Sequence, residues 1–245
     1  MSPVPLLPEH PPQFPDPASA LDEPNGLVAA GGALTPSWLL TAYSAGIFPW
    51  FNDDDSPILW WSPDPRAVLL PGGLRISRSL RKTLRRRDFT VTADRAFADV
   101  VDACAAPRVG ASGTWITPAM EQAYRELHEL GFAHSVEVWH ADELVGGLYG
   151  LSLGRMFFGE SMFSRRPDAS KVALAHLVAQ LRRWHFNLID CQLMNPHLES
   201  LGAQEMARSQ FLALLAANAD HATLQGRWHL DDDLDPLELV AAEQS

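Results

Sequence analysis

Apolar residues along this chain repeat at two spacings, and the switches between them outline its elements. Leu174, Leu177, Val178 and Leu181 recur three and four apart, which predicts a helix starting at Ala169-Ser170. Phe97, Val100, Val101 and Cys104 predict another over 95–105, and Leu80 with Leu84 a third over Ser77 to Arg87. Thr35-Pro36 and Thr117-Pro118 each place a capping hydroxyl before a proline at the first helical position. They predict helices to about Ser44 and to Leu130, with Gly46 and Gly131 as stops. Strand-like runs are AVLLP (67–71) and FTVTAD (89–94), then AHSVEVWH, ELVGGLYGLSLG and RMFFGESMFS, joined by acidic and glycine turns as a meander. FNLIDCQ reads as a further strand, HLESLGAQEMARSQFLALLAANA as helical pieces and GRWHL as a last strand.

Prolines punctuate the rest. Residues 1–17 predict an extended arm. The proline-broken WWSPDPR, 60–66, is the expected domain boundary, dividing the chain into 1–65 and 66–245, with a loose acidic tail from about 231. A meander followed by a crossover helix and one more strand predicts an α+β (mixed α/β) fold. That order is also the order of an acyltransferase core of the acetyltransferase type.

Composition narrows the function classes. A hydrophobic fraction of 47% in 245 residues suits a packed core. Cys104 and Cys191 make no disulfide framework and fit a reducing compartment. The start lacks a cationic and apolar leader, and no apolar run is long enough to span a bilayer, so a soluble, cytoplasmic protein is expected. A net charge of -11 argues against a general polyanion binder. Yet RISRSLRKTLRRR (75–87) holds seven of the chain's 19 Lys+Arg and no acid. Arg78, Lys82 and Arg85 share one face there, flanked by Arg81 and Arg86. An ordinary solvated helix mixes signs, so phosphate contact is the better reading. Acids gather instead at Asp53-Asp54-Asp55 and Asp231-Asp232-Asp233.

Two strands carry candidate chemistry. In LIDCQ, alternation turns Leu188, Asp190 and Gln192 one way and Ile189 and Cys191 the other. A carboxylate in an apolar strand is costly unless it is hydrogen-bonded. Alone, Asp190 reads as structural; with a co-facial Gln192, a site is at least as plausible. In GESMFS, Glu160 also sits among apolar residues, and would converge with Asp190 and Gln192 if the strands are neighbours. Its bland alternative is an ion pair to Arg165. Trp50, Phe51, Trp60, Trp61 and Trp115 lie in or beside loops, where tryptophans stack on bases or staple domains together. The histidines lack partners at metal spacing, so no metal is expected. No phosphate-binding glycine motif is present.

Taken in order, EPNGLVAAGGALTPSWLLTAYSAGIFPWF, WWSPDPRAVL, GTWIT, LVGGLYG, GESMFSR, ASKVAL and LIDCQLMNPHLESLGA resemble the leucyl/phenylalanyl-tRNA–protein transferase family over roughly Phe14 to Phe211. The resemblance implies a small N-terminal domain joined to an acetyltransferase-like (GNAT-type) domain. It implies an aminoacyltransferase that moves Leu, Phe and sometimes Met from aminoacyl-tRNA to the α-amine of proteins beginning with Arg or Lys, marking them for N-degron degradation. It implies catalytic roles for Asp190 and Gln192, as a relay that activates the amine, with Glu160 nearby. Leu148, Met162, Leu174, Leu177, Leu181 and Ile189 would line the side-chain pocket. Trp50 and Trp115 would hold the terminal adenosine, and Arg78, Lys82, Arg85 and Arg86 the acceptor stem. An aminoacyl ester is already activated, so no cofactor is expected, and a monomer is. Whether Asp190 acts as base or as anchor for the ammonium stays open.

Two other classes compete. A CoA-dependent N-acetyltransferase would share the fold, but its pyrophosphate needs a glycine-rich strand–helix junction, and MFSRRPDASKVAL has no glycine. A non-enzymatic RNA-binding module leaves Glu160, Asp190 and Gln192 without a purpose.

Overall fold

Residues 4–107 and 116–238 are described by the computed structural model. Four short strands, β1 (Leu6–Leu7), β2 (Leu27–Gly31), β3 (Phe48–Pro49) and β4 (Leu59–Trp61), form a first sheet in the order β1-β2-β4-β3. Helix α1 (Pro36–Ser44) joins β2 to β3, with Thr35 Oγ1 capping the Trp38 amide as its sequence requires. The proline-rich arm is more than extended chain. Phe14 packs edge-on against Trp38 and Trp60, which stack at 5.9 Å, and Trp38 Nε1 donates to the Glu9 carbonyl. Trp60 is fully buried, so it staples rather than reads bases.

The chain crosses into a second sheet between Trp61 and Arg66. Its strands are β5 (Arg66–Leu69), β6 (Thr90–Ala93), β7 (Ala133–His140), β8 (Glu143–Leu153), β9 (Met156–Ser164), β10 (Leu188–Gln192) and β11 (Gln204–Met206). The spatial order is β11-β5-β10-β9-β8-β7-β6. Helix α5 (Ala169–Arg183) is the crossover that makes β9 and β10 parallel, and every other pairing in this second sheet is antiparallel. Helices α2 (Arg78–Arg86), α3 (Phe97–Ala105), α4 (Pro118–Glu129), α6 (Pro196–Ser200) and α7 (Arg208–Asn218) complete the described residues. Alternation divides the core across the sheet. Leu188 and Phe158 join the cluster with α1, α3, α4 and α7, while Ile189 and Phe157 join the cluster with α5.

Three expectations change. The region read as helical pieces contains β11, which pairs with β5 after α6 ends. GRWHL forms no strand. Trp228 instead stacks on His134 at 3.8 Å, and its amide donates to Asp94 Oδ2, a side chain rather than a neighbouring strand. The acidic segment 231–238 lies against α5, where Arg183 pairs with Asp231, Asp233 and Glu238, and residues 239–245 fall outside the described residues. Among the described residues, no helix is long and apolar enough to cross a membrane.

Candidate active site

Strands β9 and β10 pair through Leu188–Met156, Ile189–Phe157 and Asp190–Phe158, and then part. Both are bulged at this level. Tyr149 faces Ser161 and Gly150 faces Gly159, so Glu160 has no partner on β8. Asp190 faces Val68 and Gln192 faces Ala67, so Cys191 has none on β5. An extra residue bends a strand and re-aims the side chains beside it. Gln192 consequently adopts φ 56°. A cavity of about 950 Å³ opens where the strands part.

The cavity is apolar at one end. Leu148, Met162, Leu174, Leu177 and Ile189 all line it, together with Leu69 and Phe157, which the sequence did not single out. Leu181 does not line it. It is fully buried on α5, within the core on that side of the sheet. The polar end carries Glu160, Ser161, Gln192 and Asn195.

Glu160 reaches out of its bulge to α1 and α4. Tyr43 Oη donates to Oε1 at 2.6 Å and Tyr124 Oη to Oε2 at 2.7 Å, and the two phenol oxygens are 2.6 Å apart. Three contacts require three protons. The phenols supply two, and when Glu160 is neutral its own proton is the third, the carboxyl then donating to one phenol, which donates to the other. Burial raises the Glu160 carboxyl from 4.5 to about 7, although both phenols pull it down, and the neighbouring Asp190 charge adds to the rise. Burial, with the Glu160 charge beside them, also holds the Tyr43 and Tyr124 phenols well above 10.0. Neither tyrosine was legible as a site residue, since each occupies an ordinary core position of its helix. The alternative ion pair to Arg165 is not formed. Arg165 donates to the Leu144 carbonyl and lies over the Phe163 ring.

Asp190 is placed differently from its expected position beside Gln192. The bulge ends the alternation, so Gln192 lines the cavity while Asp190 is fully buried behind it. Gln192 Nε2 donates to Glu160 Oε1 at 3.4 Å. Asp190 accepts a fork from Arg66, Nε to Oδ1 at 2.8 Å and Nη2 to Oδ2 at 2.6 Å. Its Oδ1 also accepts from the Gln192 amide at 3.0 Å. Arg66 was read only as part of a proline-broken boundary. No local pattern separates a buried arginine from an exposed one there.

Basic side chains lie elsewhere. Arg78, Arg81, Lys82, Arg85 and Arg86 of α2 surround a shallow depression, and no ion pair engages them among the described residues. Trp50 is 39% exposed and sits 5.8 Å from Trp61, over a cleft of its own rather than in the main cavity. Trp115 falls outside the described residues.

Comparison with known proteins identifies the family. The family model for the leucyl/phenylalanyl-tRNA protein transferase matches residues 68–216, and that for the N-terminal domain of the same transferase matches 32–64. A leucyl/phenylalanyl-tRNA–protein transferase of Aromatoleum aromaticum is 62% identical, over 89% of this chain and 91% of that one. One from Azoarcus sp. is 61% identical over 86% of this chain and 88% of the relative. One from Cellvibrio japonicus is 55% identical over 95% and 98%. The chain belongs to the leucyl/phenylalanyl-tRNA–protein transferase family of aminoacyl-transferring enzymes.

Proposed function

We propose that the cavity between β9 and β10 transfers an apolar aminoacyl group from tRNA to the α-amine of a protein. The observation that carries this reading is Glu160, with its carboxyl raised to about 7, at the polar end of a cavity whose other end is aliphatic. The apolar end receives the Leu, Phe or Met side chain, and Met162 adapts to each. The acceptor nitrogen then attacks the ester carbonyl. A C–N bond forms, and the bond to the ribose 3′ oxygen breaks.

Proton bookkeeping assigns the polar groups. An α-ammonium titrates near 7.7–8.0, about one unit above Glu160, so the Glu160 carboxylate is matched to take its first proton. The second proton passes to the departing ribose oxygen. Gln192 spends one amide hydrogen on Glu160 and keeps its carbonyl oxygen for the ammonium. Asp190 supports both groups from behind. An activated ester needs no cofactor, so positioning and proton transfer suffice.

Around this centre, Trp50 and Trp115 would stack the terminal adenosine, and Arg78, Lys82, Arg85 and Arg86 would meet acceptor-stem phosphates. The acceptors are proteins beginning with Arg or Lys, and the transfer marks them for the N-degron route, in the cytoplasm where charged tRNA is found. A monomer suffices, since one chain supplies every group named. The CoA reading is weakened at the β9–α5 junction. Arg165, Arg166, Pro167 and Asp168 stand in place of glycines, and Ser164 Oγ occupies the Ser170 amide. Radiolabelled Leu-tRNA incubated with a peptide beginning with Arg tests the proposal. Label in the peptide is the expected result, and none with Leu-, Phe- or Met-tRNA would sink it.

A further inference from the structure

We infer that Arg66 is a positioning residue for this transfer, through which one guanidinium sets two of the three groups that hold Glu160, Tyr43 and Gln192. The inference rests on reading the cavity as the transfer site.

Arg66 is 0% exposed, and each of its surfaces is occupied. In its plane, Nε and Nη2 grip Asp190, and Nη1 donates to the Gly46 carbonyl at 3.1 Å. Above and below lie the rings of Phe48 and Phe211, at 4.8 and 4.6 Å. Each partner leads to Glu160 by a short path. Gly46 follows the end of α1, the helix that presents Tyr43 to Glu160. Asp190 accepts the amide of Gln192 across the bulge and so fixes the residue that approaches Glu160 from β10. Arg66 thus ties the first sheet's helix to the second sheet's bulge.

Neither Arg66 nor Asp190 lines the cavity. A carboxylate whose two oxygens are gripped by a guanidinium fork, with no exposed surface, cannot reach a bound amine. Stability does not explain the pair either. A buried ion pair is often replaceable by apolar side chains at little cost, whereas the planar fork supplies direction. Its role is to place Tyr43 and Gln192 about one carboxylate.

Two variants test this with Leu-tRNA and an Arg-peptide. Arg66→Lys keeps the charge and loses the fork. It should lower kcat by about tenfold or more, while KM for Leu-tRNA stays within about twofold. The double variant Arg66→Met with Asp190→Leu removes both charges together. It should keep a thermal midpoint close to the unsubstituted chain and lose about 10²-fold in kcat. Its rate should still fall on the acid side of pH 7, because that limb belongs to Glu160. Unchanged kcat in Arg66→Lys overturns the inference, as does loss of the acid limb in the double variant. If the double variant does not fold, Arg66→Lys alone decides. No transfer by the unsubstituted chain overturns the site reading and this inference together. Normal transfer by Arg66→Lys overturns only the latter.

Discussion

Helix α2 and the Arg66–Asp190 pair use the same cationic chemistry in opposite settings. On α2, Arg78, Lys82, Arg85 and Arg86 are exposed and unpaired by any described acid, so their field reaches outward. Arg66 has no exposed surface, and its charge is consumed by one carboxylate and two rings. The first arrangement attracts an anion at a distance and loses strength in salt. The second attracts nothing and gives direction to its neighbours. Substitutions in the two regions should therefore alter different measurements.

The largest effect is expected in neither region but at Glu160. Glu160→Gln should reduce transfer by roughly 10²–10⁴-fold, the usual range for a lost general base. The wild-type rate should fall as pH drops through about 7, and the variant should lose that limb in a pH–rate profile. The same group affects stability with a definite sign. Folding raises its titration from 4.5 to about 7, so its stabilising contribution is full below 4.5 and is lost as pH rises through 7. The wild-type thermal midpoint should thus fall between pH 5 and 8 by more than that of Glu160→Gln.

Next comes Asp190→Ala, which strands the buried Arg66 charge. Denaturant titration should show a loss of about 3–5 kcal/mol, with transfer lost as well. A stability loss below about 1 kcal/mol would mean the pair is solvated, which would erase the contrast with α2. Replacing Arg78, Lys82 and Arg85 together with Ala should do the reverse. Stability should move by no more than about 0.5 kcal/mol. Affinity for tRNA should weaken about tenfold or more, and the salt slope should flatten by roughly 2–3. An unchanged slope would leave α2 as a solvated face. The smallest effect is expected in the cavity, where Leu177→Phe should shift the Leu-to-Phe transfer ratio towards Leu by about tenfold, measured by competing the two charged tRNAs. The same change at Leu181, which does not line the cavity, should instead cost stability through overpacking.

Much of the scaffold was legible because its signals are local. Thr35-Pro36 and Thr117-Pro118 cap α1 and α4 as their chemistry dictates, and the apolar period of α5 reads directly as the crossover helix. The acid-free run of α2 announces an exposed basic face, since exposure needs no partner. Glu160 and Gln192 were legible as unusual residues in apolar strands, and adjacent strands bring them together. GRWHL misled because its pattern describes a buried segment without saying whether its backbone bonds go to a strand or to side chains such as Asp94. The acids at 231–233 misled in the opposite sense, since a run of acids looks solvated until Arg183 is placed beside it.

By itself the sequence determined the longer helices and the meander, the family, the basic face and two of the polar residues that border the cavity, Glu160 and Gln192. All of these follow from patterns within a few residues or from motifs read in order. Only the tertiary structure decided that Asp190 turns away from the cavity and into Arg66, and that Tyr43 and Tyr124 hold Glu160. A bulge reverses the side-chain alternation that the sequence implies. A guanidinium's role depends on what surrounds it from 20 and 124 residues away. Those contacts exist only once both sheets have closed on the same core.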